Sequence, residues 1–513
     1  MPSENTVGTG NLTADILIVG GGGAGLAAAA AATEMGCTNV VILEKASAPG
    51  GNTLFAEGPF AVESPVQKRN ANDADRNDFF RKALRWSHWK TDPRIVRAFV
   101  DKSGDSIRWL EEKGLNLATE PLFARDAPLT WHVVEGGGPT IIRALRKCCL
   151  DRGVRLLVRT KGRKILTGST GNVTGVLAEN DGHEFAITAK SVVIATGGFG
   201  ASKELLKKYC PEYYDGMPNY GVPFNTGDGL LMALEAGADS LGVGCMMMAG
   251  PSPTCDRGAG KRGVFLKFDI PGSKQATEIP MSAIAMQRFT IWVNKKGRRF
   301  ADEAGFMLGF DSGFLVNRQP GHLSYTLFDS SIRQYISERG IGARSDGGQK
   351  SLRLYSTPKA VPLPDLEKEL RAQADRGNVL IADSLSEMAK KIGADPRVLQ
   401  ATIDEYNDAC DQGNDPVFAK DPRFLRPLRE APYYAIQCSP IFLDTTGGIK
   451  ANELMEVLDR QHDPIPGLYA AGVTVDGFEA DVYDYELPGS ASGFALTSGR
   501  IAGESASRFV LGH

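Results

Sequence analysis

The residues with the clearest chemical purpose stand near the start of the chain. There Gly20-Gly-Gly-Gly-Ala-Gly25 fits the spacing G-x-G-x-x-G, and the acidic Glu44 comes about 20 positions later. Glycines at these places leave backbone N–H groups bare, so a pyrophosphate can approach them at a helix N-terminus whose dipole favours negative charge. Gly20 would make the tight turn, Gly22 the close approach to phosphate, and Gly25 the contact between helix and strand. Glu44 would accept hydrogen bonds from ribose hydroxyls.

That chemistry needs a strand, a turn, a helix and a second strand, in that order. Residues 15–19 are a short apolar run that predicts a buried strand, 26–35 an alanine-rich stretch that predicts a helix, and 39–43 a second buried strand ending at Glu44. Farther along, 76–118 reads as helical, while 151–166 and 173–187 read as strands and turns. Residues 191–195 form another buried strand before a sharp glycine turn, and a last helix runs from Ser492 to about Val510.

The residues after Glu44 decide which dinucleotide is bound. The stretch Glu44-Lys-Ala-Ser-Ala-Pro-Gly-Gly-Asn-Thr53, with Gly58 beyond, resembles the loop by which flavoproteins hold the ribityl chain and pyrophosphate of FAD, a loop that NAD dehydrogenases lack. Further segments continue the likeness in order: Val192-Val-Ile-Ala-Thr-Gly-Gly-Phe199, Thr226-Gly-Asp-Gly229, Val293-Asn-x-x-Gly-x-Arg-Phe300 with Asp302-Glu303, Thr446-Gly-Gly448, Gly467-Leu-Tyr-Ala-Ala-Gly472 and Gly499-Arg-Ile-Ala-Gly503. Over most of its length the chain therefore resembles the flavoprotein superfamily of soluble fumarate reductases, succinate dehydrogenase flavoprotein subunits and 3-ketosteroid dehydrogenases.

The resemblance implies an α/β fold in which a Rossmann-like FAD-binding domain is split by an inserted α+β capping domain, with substrate held between flavin and cap. It implies a flexible arm at residues 1–13, a first FAD-binding part at 14–242, the cap at 243–445 and a second FAD-binding part at 446–513. Carried over position by position, it assigns to FAD the residues Gly20, Gly22, Ala24, Gly25, Glu44, Lys45, Gly51, Asn52, Thr53 and Gly58. Thr196, Gly197, Asp228 and Gly472 join them, with the backbone of Ser490, Ala491 and Ser492 against the isoalloxazine. The histidine used for covalent flavin attachment is missing, so the FAD is expected to be non-covalent. Val473 stands where the family often has Glu, which removes one ribityl contact.

The chain departs from fumarate reductases where the dicarboxylate is held. Those enzymes use arginines and histidines, because guanidinium groups orient and neutralise carboxylates together. Here the expected arginine falls on Met307, the histidine pair on Leu443-Asp444, a second arginine near Glu486, and a further histidine within residues 246–248, which are all Met. These changes favour a larger and more apolar ligand, for which thioethers are adaptable neighbours, although the three methionines also read as ordinary core.

Tyr485-Glu-Leu-Pro-Gly489 resembles instead the Tyr-x-x-Pro-Gly element of ketosteroid dehydrogenases, in which a tyrosine hydroxyl and a glycine N–H polarise a ketone. Polarising a carbonyl acidifies its α-hydrogen or activates a conjugated double bond for hydride addition. Tyr485 and Gly489 are the candidates for that task. A tyrosine base of that family falls on Met307, which leaves Asp444, Tyr483 and Asp311 as candidates for the proton. Glu479, Asp481, Asp484 and Glu486 form an acidic cluster beside the proposed site that reads as a solvated loop, with a contact to a cationic substrate group or a proton path as the alternative, and His132 reads as a pocket or structural histidine.

Composition bounds the rest. With 513 residues and a net charge of −3, the chain is large enough for two or three domains and has no bias toward nucleic acid. Its eight cysteines show no metal or haem spacing, so electrons must come from or go to an unidentified diffusible or protein partner. No stretch is apolar enough to span a membrane, and the opening residues do not read as a signal, so the expected location is cytoplasmic. The expectation is an FAD-dependent oxidoreductase that dehydrogenates or reduces a carbon–carbon bond next to a carbonyl, on a fairly apolar small molecule. A fumarate reductase-like or tricarballylate dehydrogenase-like enzyme and a non-catalytic electron-transfer flavoprotein are the alternatives.

Overall fold

A computed structural model describes residues 12–120, 129–256, 264–268, 277–305, 312–340, 362–484 and 486–512. Two sheets organise them. The first has eight strands, and its central path runs Glu456–Leu458, Pro464–Ala470, His183–Ile194, Leu12–Val19, Val40–Leu43, Arg155–Leu157. From Pro464–Ala470 to Arg155–Leu157 the neighbours are parallel. Thr160–Thr167 and Val173–Asn180 add an antiparallel flap on His183–Ile194. The parallel strands are apolar along both faces, with Ile16, Leu17, Ile18, Val40 to Leu43 and Val192 to Ile194 all buried, as a sheet covered on both sides requires.

The helix Gly23–Glu34 comes directly after the glycine turn and is buried from Gly23 through Ala32. An alanine-rich helix can be enclosed in this way because small side chains let the sheet and a second helix approach its backbone. That second helix is Ser490–Leu511, starting two residues before the expected Ser492. The first strand also starts earlier than expected, since Leu12 and Thr13, read as part of a loose arm, pair with Ile187 and Thr188. The stretch 76–118 resolves into helices Arg76–Trp86 and Pro93–Glu112, opened by the N-caps Asp75 and Asp92.

The second sheet is antiparallel, in the order Ile291–Asn294, Ser324–Asp329, Tyr433–Ile449, Leu380–Ala382, with Ser240–Pro253 also paired to Tyr433–Ile449. It has its own core, in which Phe328, Tyr434, Tyr406 and Leu399 are buried. The pair Ser240–Pro253 and Tyr433–Ile449 carries the chain out to this sheet and back, and positions 243 and 445 fall inside these two strands. Behind Phe300, Arg299 and Lys420 meet Glu303 and Asp415 in a buried cluster of two cations and two anions. This cluster ties the Arg-Phe-x-x-Glu segment to the rest of the second core.

Candidate active site

Register brings the nucleotide-binding segments together. Val19 pairs with Leu43 on one side and Ile194 on the other, and Ile194 pairs with Ala470, so these strands end level. The residues just beyond them, Gly20, Glu44, Ala195-Thr196 and Ala471-Gly472, therefore line the carboxyl edge of the parallel sheet, where open α/β folds bind ligands. A ladder of 2.8 Å bonds holds the exits in place: Gly20 N to Leu43 O, Ala195 N to Val19 O and Ala471 N to Ile194 O.

The glycine turn is packed to its limit on one side and open on the other. A β-carbon at Gly25 would fall 1.9 Å from the Gly20 carbonyl oxygen, whereas one at Gly22 would meet nothing nearer than Gly50 O at 3.8 Å. Gly51 is similarly open, with Gly22 Cα the nearest atom at 3.5 Å. Ala24 is buried behind them, and Gly23 N donates to Thr53 Oγ1 at 3.2 Å. Glu44 accepts from Gly21 N at 2.9 Å and from Ala46 N at 2.7 Å, so its carboxylate stands beside the turn. Thr196 adds a buried hydroxyl oxygen with no hydrogen-bond partner among the described residues, and Gly197 a left-handed turn against Asn225. A bare glycine cradle, a helix N-terminus, an acid at the ribose position and an orphaned hydroxyl are the surroundings a dinucleotide needs, so these residues fit FAD.

Lys45 reaches away from the turn. Its Nζ donates to Thr226 Oγ1 and Asp228 Oδ2, both at 2.6 Å, while Lys161 takes the other oxygen of Asp228 at 3.0 Å. Burial pushes the Asp228 carboxyl up, but the two lysines outweigh it and hold it below its ordinary value. Asp228 thus stands as the anchor of Lys45, with both oxygens occupied.

At the far end of the site, Gly489 opens the C-terminal helix with φ of 81°. A side chain is excluded there, because a β-carbon would fall 2.6 Å from Gly58 O and 3.0 Å from Phe60 N. Gly58 O also accepts from Ser492 Oγ at 2.8 Å and Trp131 Nε1 at 3.0 Å, which welds the helix start to the segment after the Asn52-Thr53 loop. Phe60, Phe99, Phe478 and Phe494 pack behind it, with Phe478 and Phe494 stacked at 3.9 Å. Gly472 N donates to Ser498 Oγ, pinning the same helix to the sheet edge.

Ser490 and Ala491 form the helix's first turn beside a buried polar group. Ser490 Oγ donates to Glu479 Oε1 at 2.8 Å, Asp484 N donates to Glu479 Oε2 at 2.7 Å, and Ala491 N points at Tyr483 Oη at 3.4 Å. Glu479 and Asp484 are thus buried, not solvated as the sequence suggested; only Asp481 and Glu486 of that acidic set are exposed. Burial, reinforced by Asp484, pushes Glu479 well above the usual carboxylate range, and burial lifts Asp484 to about 7. Burial likewise raises the Tyr483 hydroxyl above its ordinary value.

Asp444 lies between the two sheets, fully enclosed by N–H donors from Asn52, Asn225, Gly200 and Thr445. Asn225 was not singled out on sequence grounds and no local pattern marks it, whereas Glu479 was named only as part of a solvated acidic loop. His132 is buried and neutral: its Nδ1 donates to Thr130 O, its Nε2 accepts from Ser64 Oγ at 2.6 Å, and burial lowers it to about 4. Of residues 246–248, Met246 and Met248 belong to the core and Met247 is half-buried on the other face. Tyr485, Met307 and Asp311 lie outside the described residues.

A parallel sheet with four turns level on its carboxyl edge, and a C-terminal helix pinned to that edge through Gly472 and Ser498, define a dinucleotide-binding protein. Residues 15–480 match the FAD binding domain family, and the chain belongs to that family, with FAD as its cofactor. Vinyl phenol reductase of Lactiplantibacillus plantarum is 29% identical over 509 residues, covering 97% of each chain. The open conformation of a flavocytochrome c3 fumarate reductase superposes with a TM-score of 0.71 at 26% identity, over 98% of this chain and 79% of that one. A 3-ketosteroid-delta4-(5alpha)-dehydrogenase from Rhodococcus jostii, in complex with 4-androstene-3,17-dione, shares the fold with a TM-score of 0.73 at 22% identity, over 98% of both. The protein is thus an FAD-dependent oxidoreductase of CH–CH and C=C bonds.

Proposed function

We propose that this enzyme reduces a carbon–carbon double bond conjugated to a carbonyl or a phenolic ring, on a substrate more apolar than fumarate. The observation that carries the reading is the pair Leu443 and Met247. Both are half-buried, and Leu443 stands where a dicarboxylate enzyme would be expected to present a histidine. Reduction is favoured over dehydrogenation by likeness over the whole chain to a protein named vinyl phenol reductase.

Bound FAD would supply the hydride from its N5. Around it, Gly22, Gly51 to Thr53 and Thr196 would hold the pyrophosphate and ribityl chain, Glu44 the ribose, and the backbone of Ser490 to Ser492 the ring. Gly489 N–H and Tyr485 would hold the substrate oxygen, lowering the barrier by stabilising the charge that develops there. Tyr483 is preferred to Asp444 as proton donor, since both oxygens of Asp444 are already taken by N–H donors. The proposal includes a cytoplasmic setting, a non-covalent flavin and a separate electron donor.

Reduced holoprotein mixed anaerobically with a cyclic enone, 4-vinylphenol or fumarate tests the reading through the rate of flavin reoxidation. The enone or the vinylphenol should reoxidise it far faster than fumarate does. Fumarate as the fastest oxidant would sink the proposal.

A further inference from the structure

Asp444 is a carboxylate in an uncharged shell. It is 2% exposed, and four N–H groups converge on it: Asn52 Nδ2 at 2.6 Å and Asn225 Nδ2 at 2.5 Å on Oδ2, Thr445 N at 2.9 Å and Gly200 N at 3.3 Å on Oδ1. An ionised carboxylate can accept all four, whereas an asparagine would turn an NH2 group against other N–H donors. Burial lifts the carboxyl to about 6, and the N–H groups of Thr445, Asn225, Gly200 and Gly198 hold it down against that rise.

The strand delivers this side chain through a bulge. Phe442 pairs with Met248 and Thr445 with Met246, so Leu443 and Asp444 together oppose Met247. The extra residue re-aims the strand's side chains just where it returns from the second sheet. Asp444 thereby reaches Asn52, and Asn52 spends its other amide atom as an acceptor for Val222 N at 2.8 Å. Both ends of the Asn52 amide are therefore set, and its neighbours stand against the glycine turn through the Gly22–Gly50 bridge and the Gly23–Thr53 bond.

We propose that Asp444 is a positioning residue for the cofactor: as a carboxylate it locks Asn52, and so holds the 51–53 loop in the shape against which FAD lies. The retention of FAD is thereby coupled to a strand of the second sheet. Among the described residues, the groups facing Asp444 are Asn52 from the turn Gly51–Phe55, Asn225 from the loop before Asp228–Glu235, the Gly198–Gly200 turn and Thr445, none of which titrates near neutral pH. The inference requires FAD binding and is independent of the substrate.

The test is the rate at which holoprotein loses FAD on dilution, followed by the return of free-flavin fluorescence between pH 5 and 8. Wild-type protein should release FAD faster as pH falls through about 6. Asp444→Asn should release it roughly 10- to 100-fold faster and with little pH dependence. Asn52→Asp should also be leaky, because it sets two carboxylates against each other. The double variant Asn52→Asp with Asp444→Asn restores the 52–444 bond while Asn225 still faces position 444, so it should release FAD more slowly than the product of the two single effects. Release from Asp444→Asn at the wild-type rate, or a double variant whose release equals or exceeds the product of the two single effects, overturns the proposal.

Discussion

Gly499 of the C-terminal helix rests on the backbone of Ala24 in the first helix, so closely that a β-carbon at Gly499 would fall 2.3 Å from the Ala24 carbonyl oxygen. Gly503 meets Ala28 in the same way, again at 2.3 Å. The two contacts advance together, so the helices run parallel, and the stretch from Ser490 to Gly499 carries the second helix start roughly 12 Å beyond the first at Gly23. On the proposed reading, one helix start would serve the pyrophosphate and the other the flavin ring, and the offset between them is set by the contacts of Gly499 and Gly503.

Gly499→Ala should force these backbones apart. We expect a loss of about 1–3 kcal/mol in urea unfolding of the apoprotein, together with faster release of FAD from the holoprotein. Unchanged stability and retention would mean that the helices can yield without disturbing the site.

Tyr483→Phe removes the hydroxyl at the first turn of the C-terminal helix. If that hydroxyl supplies the proton, flavin reoxidation by substrate should slow by about 10²–10⁴-fold while FAD retention stays the same. Tyr485→Phe should slow it by about 10²–10³-fold if its hydroxyl polarises the substrate. A Tyr483→Phe enzyme at full rate would transfer the proton role elsewhere.

Glu479 bears on stability against pH. A carboxyl held above its ordinary value in the fold keeps a proton there that the unfolded chain gives up, so the fold binds more protons and loses stability as pH rises through that window. Asp484 adds the same sign between the ordinary aspartate range and about 7. The melting temperature should therefore fall for these groups from pH 5 to 8. Glu479→Gln, which mimics the protonated acid, should flatten that fall and be nearly silent at pH 5. An equally steep decline in the variant would show that Glu479 is ionised throughout.

His132 makes the opposite kind of prediction. Neutral and clamped between Thr130 O and Ser64 Oγ, it should contribute no titration to the activity profile near neutral pH. His132→Ala should instead cost about 2–4 kcal/mol of stability, because it empties a buried site and takes one hydrogen bond each from Thr130 O and Ser64 Oγ, which keep only Ala61 N and Gln67 N. Differential scanning calorimetry beside a pH–rate profile separates these effects.

Much of this molecule is legible in its residues alone. The glycine turn, Glu44, the apolar strands around residues 16–19 and 40–43 and the alanine helix are local signals, because turn conformation, strand burial and helix packing each leave a mark within a few residues. The acidic stretch from Glu479 to Glu486 misled for the same reason: charge density within eight residues says nothing about what packs over them. Two of those acids, Glu479 and Asp484, are buried, and Ser490 of the C-terminal helix bonds Glu479.

By itself, then, the amino-acid order determined a β-α-β glycine turn fit for a dinucleotide, and that Leu443 and Asp444 stand where the resemblance would place a histidine pair. Only tertiary structure decided which groups share one space. Asn52 meets Asp444 across 392 positions, through a strand bulge and a register that no local pattern encodes. Side-chain hydrogen bonds over such separations depend on where two sheets finally stand, and that is a property of the whole packed core.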